Sequence, residues 1–84
     1  MYAYYFTFRS VTAAMQGSRT LAAAGLESLM VRTPAALKKQ GCGYSLRVRQ
    51  EALRPALAAL RSGGPAFGRI YRRAEDGSWK EVTV

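Results

Sequence analysis

The sequence predicts an α+β fold: a ferredoxin-like βαββαβ sandwich, its antiparallel sheet carrying two helices on one face, with a short C-terminal hairpin strand added. Three observations predict it. Segments alternating apolar and polar residues are separated by two segments whose apolar positions recur at helical spacing. Turn signals stand between them. Right-handed crossovers in split βαβ units then put both helices on the same side of the sheet. Eighty-four residues are enough for one modest core, so the whole span 1–84 is expected to be a single domain.

Residues 2–8 alternate, with Tyr2, Tyr4, Phe6 and Phe8 on one face and Ala3, Tyr5 and Thr7 on the other, and their aromatic bulk suits a strand. Ser10 is a good helix N-cap. From Val11 the apolar positions Val11, Ala14, Met15, Leu21 and Ala22 follow a helical period until Gly25 offers a left-handed cap. Gly17 and Ser18 inside that helix mark close packing against the sheet. Residues 26–32 read as a second strand ended by Thr33-Pro34, with Leu29 and Val31 on one face and Ser28, Met30 and Arg32 on the other. Residues 35–40 form a short helical turn. A third strand, 44–49, puts Tyr44, Leu46 and Val48 opposite Ser45, Arg47 and Arg49. Leu53, Leu57 and Leu60 define a second helix that tolerates Pro55 in its first turn and stops at Ser62-Gly63-Gly64-Pro65. Residues 67–73 make a fourth strand, and 79–84 fold back as a fifth across the Asp76-Gly77 turn.

Composition narrows the chemistry. The chain has no histidine and one cysteine, so a histidine-relayed nucleophile, a usual Cys/His zinc set and an internal disulfide are all excluded within one subunit. No cofactor is expected. No apolar run reaches membrane-spanning length and the first residues lack a signal-peptide pattern, which points to a soluble, cytoplasmic protein without a membrane partner. Thirteen Lys and Arg against five Asp and Glu give a net charge of +8, a bias toward acidic partners or a solvated basic surface.

The one cysteine, Cys42, stands in Gly41-Cys42-Gly43-Tyr44-Ser45-Leu46. Glycine on both sides gives backbone freedom and access to the sulfur, and Lys38 and Lys39 upstream favour a thiolate. The competing reading is a small buried hydrophobe, the common state of a free cysteine. With Tyr4, Phe6, Phe8, Leu29, Val31, Tyr44, Leu46, Val48 and Ile70 under the helices, the open face carries Tyr5, Arg32, Arg47, Arg49, Arg69, Tyr71 and Arg73. Such a face suits single-stranded nucleic acid, although the first RNP motif is missing at 41–48. A third reading is a protein-partner or homo-oligomer contact, although charge is usually depleted at interface cores.

Tyr5-Phe6-Thr7-Phe8-Arg9-Ser10, Leu21-Ala22-Ala23-Ala24-Gly25-Leu26, Arg32-Thr33-Pro34 and Gly41-Cys42-Gly43-Tyr44-Ser45-Leu46 together resemble the Se/S carrier-like family, small single-domain proteins formerly grouped as a domain of unknown function. The likeness runs from residue 4 to about 73 and leaves the strand from Trp79 outside. Its most specific element is Thr33-Pro34 followed by Cys42-Gly43 and a small residue at Ser45. Lys38-Lys39-Gln40-Gly41 departs from the hydroxyl residues that precede the cysteine in many members. The resemblance implies a carrier, not an enzyme, that holds sulfur or selenium on Cys42 as a persulfide or perselenide. Gly41, Gly43, Ser45, Lys38 and Lys39 would support the site, and the partners would be a sulfur or selenium donor and an acceptor.

Overall fold

The computed structural model describes residues 2–40 and 43–83, with the side chains of 38–40 left aside. In chain order it contains β1 (Ala3–Phe8), α1 (Val11–Ala23), β2 (Leu29–Arg32), a 3-10 segment (Ala35–Gln40), β3 (Tyr44–Arg49), α2 (Leu53–Gly63), β4 (Ile70–Arg73) and β5 (Trp79–Val82). The strands form one five-stranded sheet in the order β2-β3-β1-β4-β5, and every pairing is antiparallel. The fold is therefore mixed α+β, with β1 at the centre. Among the described residues no helix is long and apolar enough to cross a membrane.

Local chemistry sets the boundaries of α1. The Ser10 hydroxyl accepts from the Ala13 N–H at 3.1 Å, satisfying one of the donors a helix start leaves over. At the other end Gly25 takes a φ of +78°. Its N–H donates to the Ala22 carbonyl and that of Leu26 to the Leu21 carbonyl, both at 2.9 Å, the pair of bonds that closes a Schellman cap. Leu26 is thereby turned back to pack on the core.

Both helices contribute to the same core. Ala14 and Leu21 of α1, with Ala56 and Leu60 of α2, pack on Tyr4, Phe6, Phe8, Leu46, Val48 and Ile70 of the sheet. On β3, Leu46 and Val48 are buried while Arg47 and Arg49 are exposed, as period-two alternation predicts. A Cβ on Gly17 would stand 2.9 Å from the Phe8 ring and 3.0 Å from Leu46 Cδ1, so this glycine is where α1 approaches the sheet most closely.

Two strands differ from expectation. β4 begins at Ile70, not at residue 67, because the regular ladder gives way there to a bulge. The Thr7 N–H donates to the Arg69 carbonyl at 2.9 Å and the Gly68 N–H to the Thr7 carbonyl at 2.7 Å, while the Arg69 N–H donates to the Thr7 hydroxyl oxygen at 2.8 Å. A Cβ on Gly68 would stand 2.8 Å from that same oxygen. Phe67 instead meets Phe6 edge-on, ring centroids 5.2 Å apart. The second difference is the face of β2. Leu29 pairs with Arg47 and Val31 with Ser45, whereas Met30 pairs with Leu46 and Arg32 with Tyr44. Paired residues share a face, so Leu29 and Val31 lie on the open side and Arg32 on the helix side, opposite to the expectation.

Candidate functional site

The segment that contains Cys42 leaves β2 and returns to β3, and both its ends are pinned. The Thr33 N–H donates to the Gly43 carbonyl at 2.7 Å. The hydroxyls of Thr33 and Ser45 share a hydrogen bond of 2.8 Å. Ser45 is fully buried, and Thr33 and Leu37 are nearly so, although Ser45 faces away from the helices, paired with Val31 on one side and Thr7 on the other. Thr33 and Leu37 stand outside the main core cluster, so the start of the segment forms a small second layer at this end of the sheet. Within it the Leu37 N–H donates to the Pro34 carbonyl at 2.8 Å, opening the 3-10 segment.

This hydroxyl pair explains the face of β2. Slipping a strand by one residue moves every side chain to the other face. Leu29-Met30-Val31 has apolar residues in both registers, so hydrophobicity does not choose between them. The Thr33–Ser45 bond does, because the other register would leave two buried hydroxyls without partners. The sequence reading had Thr33 as a strand terminator and missed this role; the signal was a hydroxyl residue at each end of the segment, at 33 and 45.

The proposed site residues fall as follows. Gly43 and Ser45 are together at the start of β3, and Lys38 and Lys39 lie in the 3-10 segment of the same connection. Gly41 and Cys42, with the expected thiol accessibility and pKa, lie outside the described residues. Gly43 does not take a positive φ, since among the described glycines only Gly25 and Gly77 do. A Cβ there would meet nothing within 4 Å. Its expected backbone freedom is therefore not what the fold uses, and no described neighbour crowds it. Among the described residues no group of three or more His, Cys, Asp and Glu side chains is placed to hold a metal.

The open face is more closed than expected. Tyr5 points to it but is buried, because the Trp79 ring meets it edge-on with centroids 4.9 Å apart. Tyr71, beside Tyr5 in register, is half-buried. Arg69 donates to both carboxylate oxygens of Glu81, at 3.0 and 2.8 Å. The Arg73 guanidinium stands 4.9 Å from the centre of the Trp79 ring. Arg32, on the other face, stands 6.0 Å from the Tyr44 ring centre. Of the expected basic set only Arg47, Arg49 and Arg73 line an open groove.

Thr33, Gly43 and small Ser45 are thus tied into one structural unit, and the family model described as "Putative Se/S carrier protein-like" matches residues 3–72. The chain belongs to that family. No curated protein and no solved structure matches it. The region matched to the Se/S carrier family includes the pinned segment and both helices; β5, with Trp79 and Glu81, lies beyond it.

Proposed function

We propose that this Se/S carrier-like protein is a non-enzymatic carrier in which Cys42 holds sulfur or selenium as a persulfide or perselenide between a donor and an acceptor protein. The observation that carries the reading is the pinned segment. Two hydrogen bonds from Thr33 tie the segment's ends, so that Gly43, the neighbour of Cys42, has a fixed backbone. The membership of the chain in the carrier family supports the same reading. So does Gly43, a glycine that neither backbone geometry nor packing requires; it leaves room for a partner's sulfur to approach.

The transfer balances without an oxidant. The Cys42 thiolate attacks the outer sulfur of a donor persulfide. A new S–S bond forms on Cys42 while the donor's S–S bond breaks, and the donor leaves as a thiolate. Attack by an acceptor nucleophile on the same outer atom reverses the steps. With no second cysteine in the chain, no internal disulfide discharges the cargo. Lys38 and Lys39, near in sequence, would favour the thiolate. The rest of the reading is a ferredoxin-like sandwich spanning 1–84, with β5 appended to its β4 edge, working in the reducing cytoplasm, where a lone thiol persists.

Intact mass after incubation with a cysteine desulfurase and cysteine tests the carrier. One added sulfur atom on the wild type, lost with a reducing agent and never gained by Cys42→Ser, is the expected result. An unchanged wild-type mass, or equal loading of Cys42→Ser, would overturn it.

A further inference from the structure

We propose that the sheet face turned away from the helices holds a site for a small phosphate-bearing ligand, seated on Arg47, Arg49 and Arg73 above Ala3. The register builds it. Ala3 on β1 pairs with Arg49 on β3 and, on its other side, with Arg73 on β4; in the next row of the same face Tyr5 pairs with Arg47. Strand spacing puts the Arg49 and Arg73 Cα atoms roughly 10 Å apart, with Arg47 about 7 Å along β3 from Arg49. The residue between the two flanking arginines has only a methyl group, so the floor is left unfilled.

The three arginines are among the residues lining a groove of about 1130 Å³ that runs from this face round the end of the sheet to Ser18 and Ala22 of α1, with Tyr5 and Leu29 on its open-face side. Arg47 and Arg49 are exposed and make no hydrogen bond or ion pair with the described residues, unlike Arg69, which Glu81 neutralises. Arg73 is steered by its stacking on Trp79. Three like charges around one floor repel one another, and a bound anion relieves that repulsion. Guanidinium forks match phosphate oxygens bidentately. A phosphate monoester, with a charge of about −1.5 to −2 near neutral pH, balances three cations better than one carboxylate does.

A compact ligand fits better than a polymer. Glu27 and Glu51 are themselves among the residues lining the groove, and Glu81 lies on the same face beyond Tyr71, so a polyanion running across the sheet would meet carboxylates on both sides. Tyr5 lies under Trp79, which removes the stacking platform that single-stranded nucleic acid uses. The site is also separate from the Tyr44 end of β3: Arg49 is five residues along the strand from Tyr44, roughly 17 Å.

The test titrates the full chain with pyrophosphate and, separately, with a single-stranded oligonucleotide, following backbone amide NMR shifts. Saturable pyrophosphate shifts at Ala3, Arg47, Arg49 and Arg73 are expected. Arg49→Ala should weaken binding about tenfold or more, the scale of a lost charge-assisted hydrogen bond. Arg49→Lys should recover part of the loss, while Arg54→Ala on α2 and Cys42→Ser leave affinity unchanged. Because Arg49 is exposed, melting curves of the variants should coincide with the wild type; Arg47→Gln provides a second reading of the same groove. The proposal is overturned if no saturable shift occurs, if Arg54→Ala costs as much as Arg49→Ala, or if the oligonucleotide binds across the face and pyrophosphate does not displace it.

Discussion

The Thr33–Ser45 hydroxyl pair makes a sharp prediction about the unit around Cys42. Thr33→Val keeps the branched shape and deletes one hydroxyl, leaving the Ser45 oxygen fully buried without its partner at 2.8 Å. An unsatisfied buried hydroxyl costs about 1–3 kcal/mol. Ser45→Ala leaves the Thr33 oxygen in the same position, at a similar cost of about 1–3 kcal/mol. The double variant removes both polar groups, so only the net value of a hydrogen bond is lost, about 1 kcal/mol. The singles should therefore not add, with a coupling of at least about 1 kcal/mol, as residues in direct contact show. In a domain of this size each single should lower Tm by about 4–8 °C per kcal/mol lost. Urea unfolding of the four proteins at constant m-value reads the cycle. Additive losses, or singles that cost less than about 0.5 kcal/mol, the scale of an ordinary surface change, would refute the register lock.

Two further predictions concern other parts of the fold. Gly17→Ala should destabilise the protein by up to about 2 kcal/mol in urea unfolding, because overpacking a core costs about 1–3 kcal/mol against a helix-propensity gain of about 1 kcal/mol. The atoms in the way belong to Phe8 and Leu46, both buried, and a stabilised variant would disprove the close approach. In the β4–β5 turn the Ser78 hydroxyl and then the Ser78 N–H, at 2.9 Å, hold the Asp76 carboxyl below its ordinary range. A depressed folded pKa means that this contribution is complete above the unfolded value and is lost as pH falls through the folded one. Ser78→Ala should accordingly raise the Asp76 titration midpoint seen by carboxyl NMR, and no movement would show that the hydroxyl plays no part.

Much of the fold was legible because several local signals agreed. On β3 the alternation of Leu46 and Val48 with Arg47 and Arg49 has one solution, and the ends of α1 were visible in Ser10 and Gly25. The faces of β2 were not legible from hydrophobicity, since Leu29, Met30 and Val31 are all apolar; a polar pair more than ten residues apart decides them. The early start expected for β4 failed because the ladder bulges where Thr7, a residue of another strand, meets Arg69. Tyr5 was expected to be open because its alternation is correct, but burial on a sheet face depends on what crosses it, and Trp79 is far away in sequence. At the cysteine segment the hydrogen bonds of Thr33 to Gly43 and Ser45 were not legible, since they exist only once β2 and β3 are paired.

The register lock and the arginine groove are connected through β2. The register that joins Thr33 to Ser45 is the one that turns Leu29 toward Arg47, and Leu29 then forms part of the groove wall. On the opposite side, β5 lies outside the family match. It supplies Trp79 over Tyr5, a stacking partner for Arg73 and the carboxylate that neutralises Arg69. Without β5, Tyr5, Arg69 and Arg73 would lose these partners, whereas the contacts of Arg47 and Arg49 on β3 would be unchanged. The cysteine segment and the groove thus occupy opposite ends of β3, and the pairing of that strand with β2 is the physical element common to both.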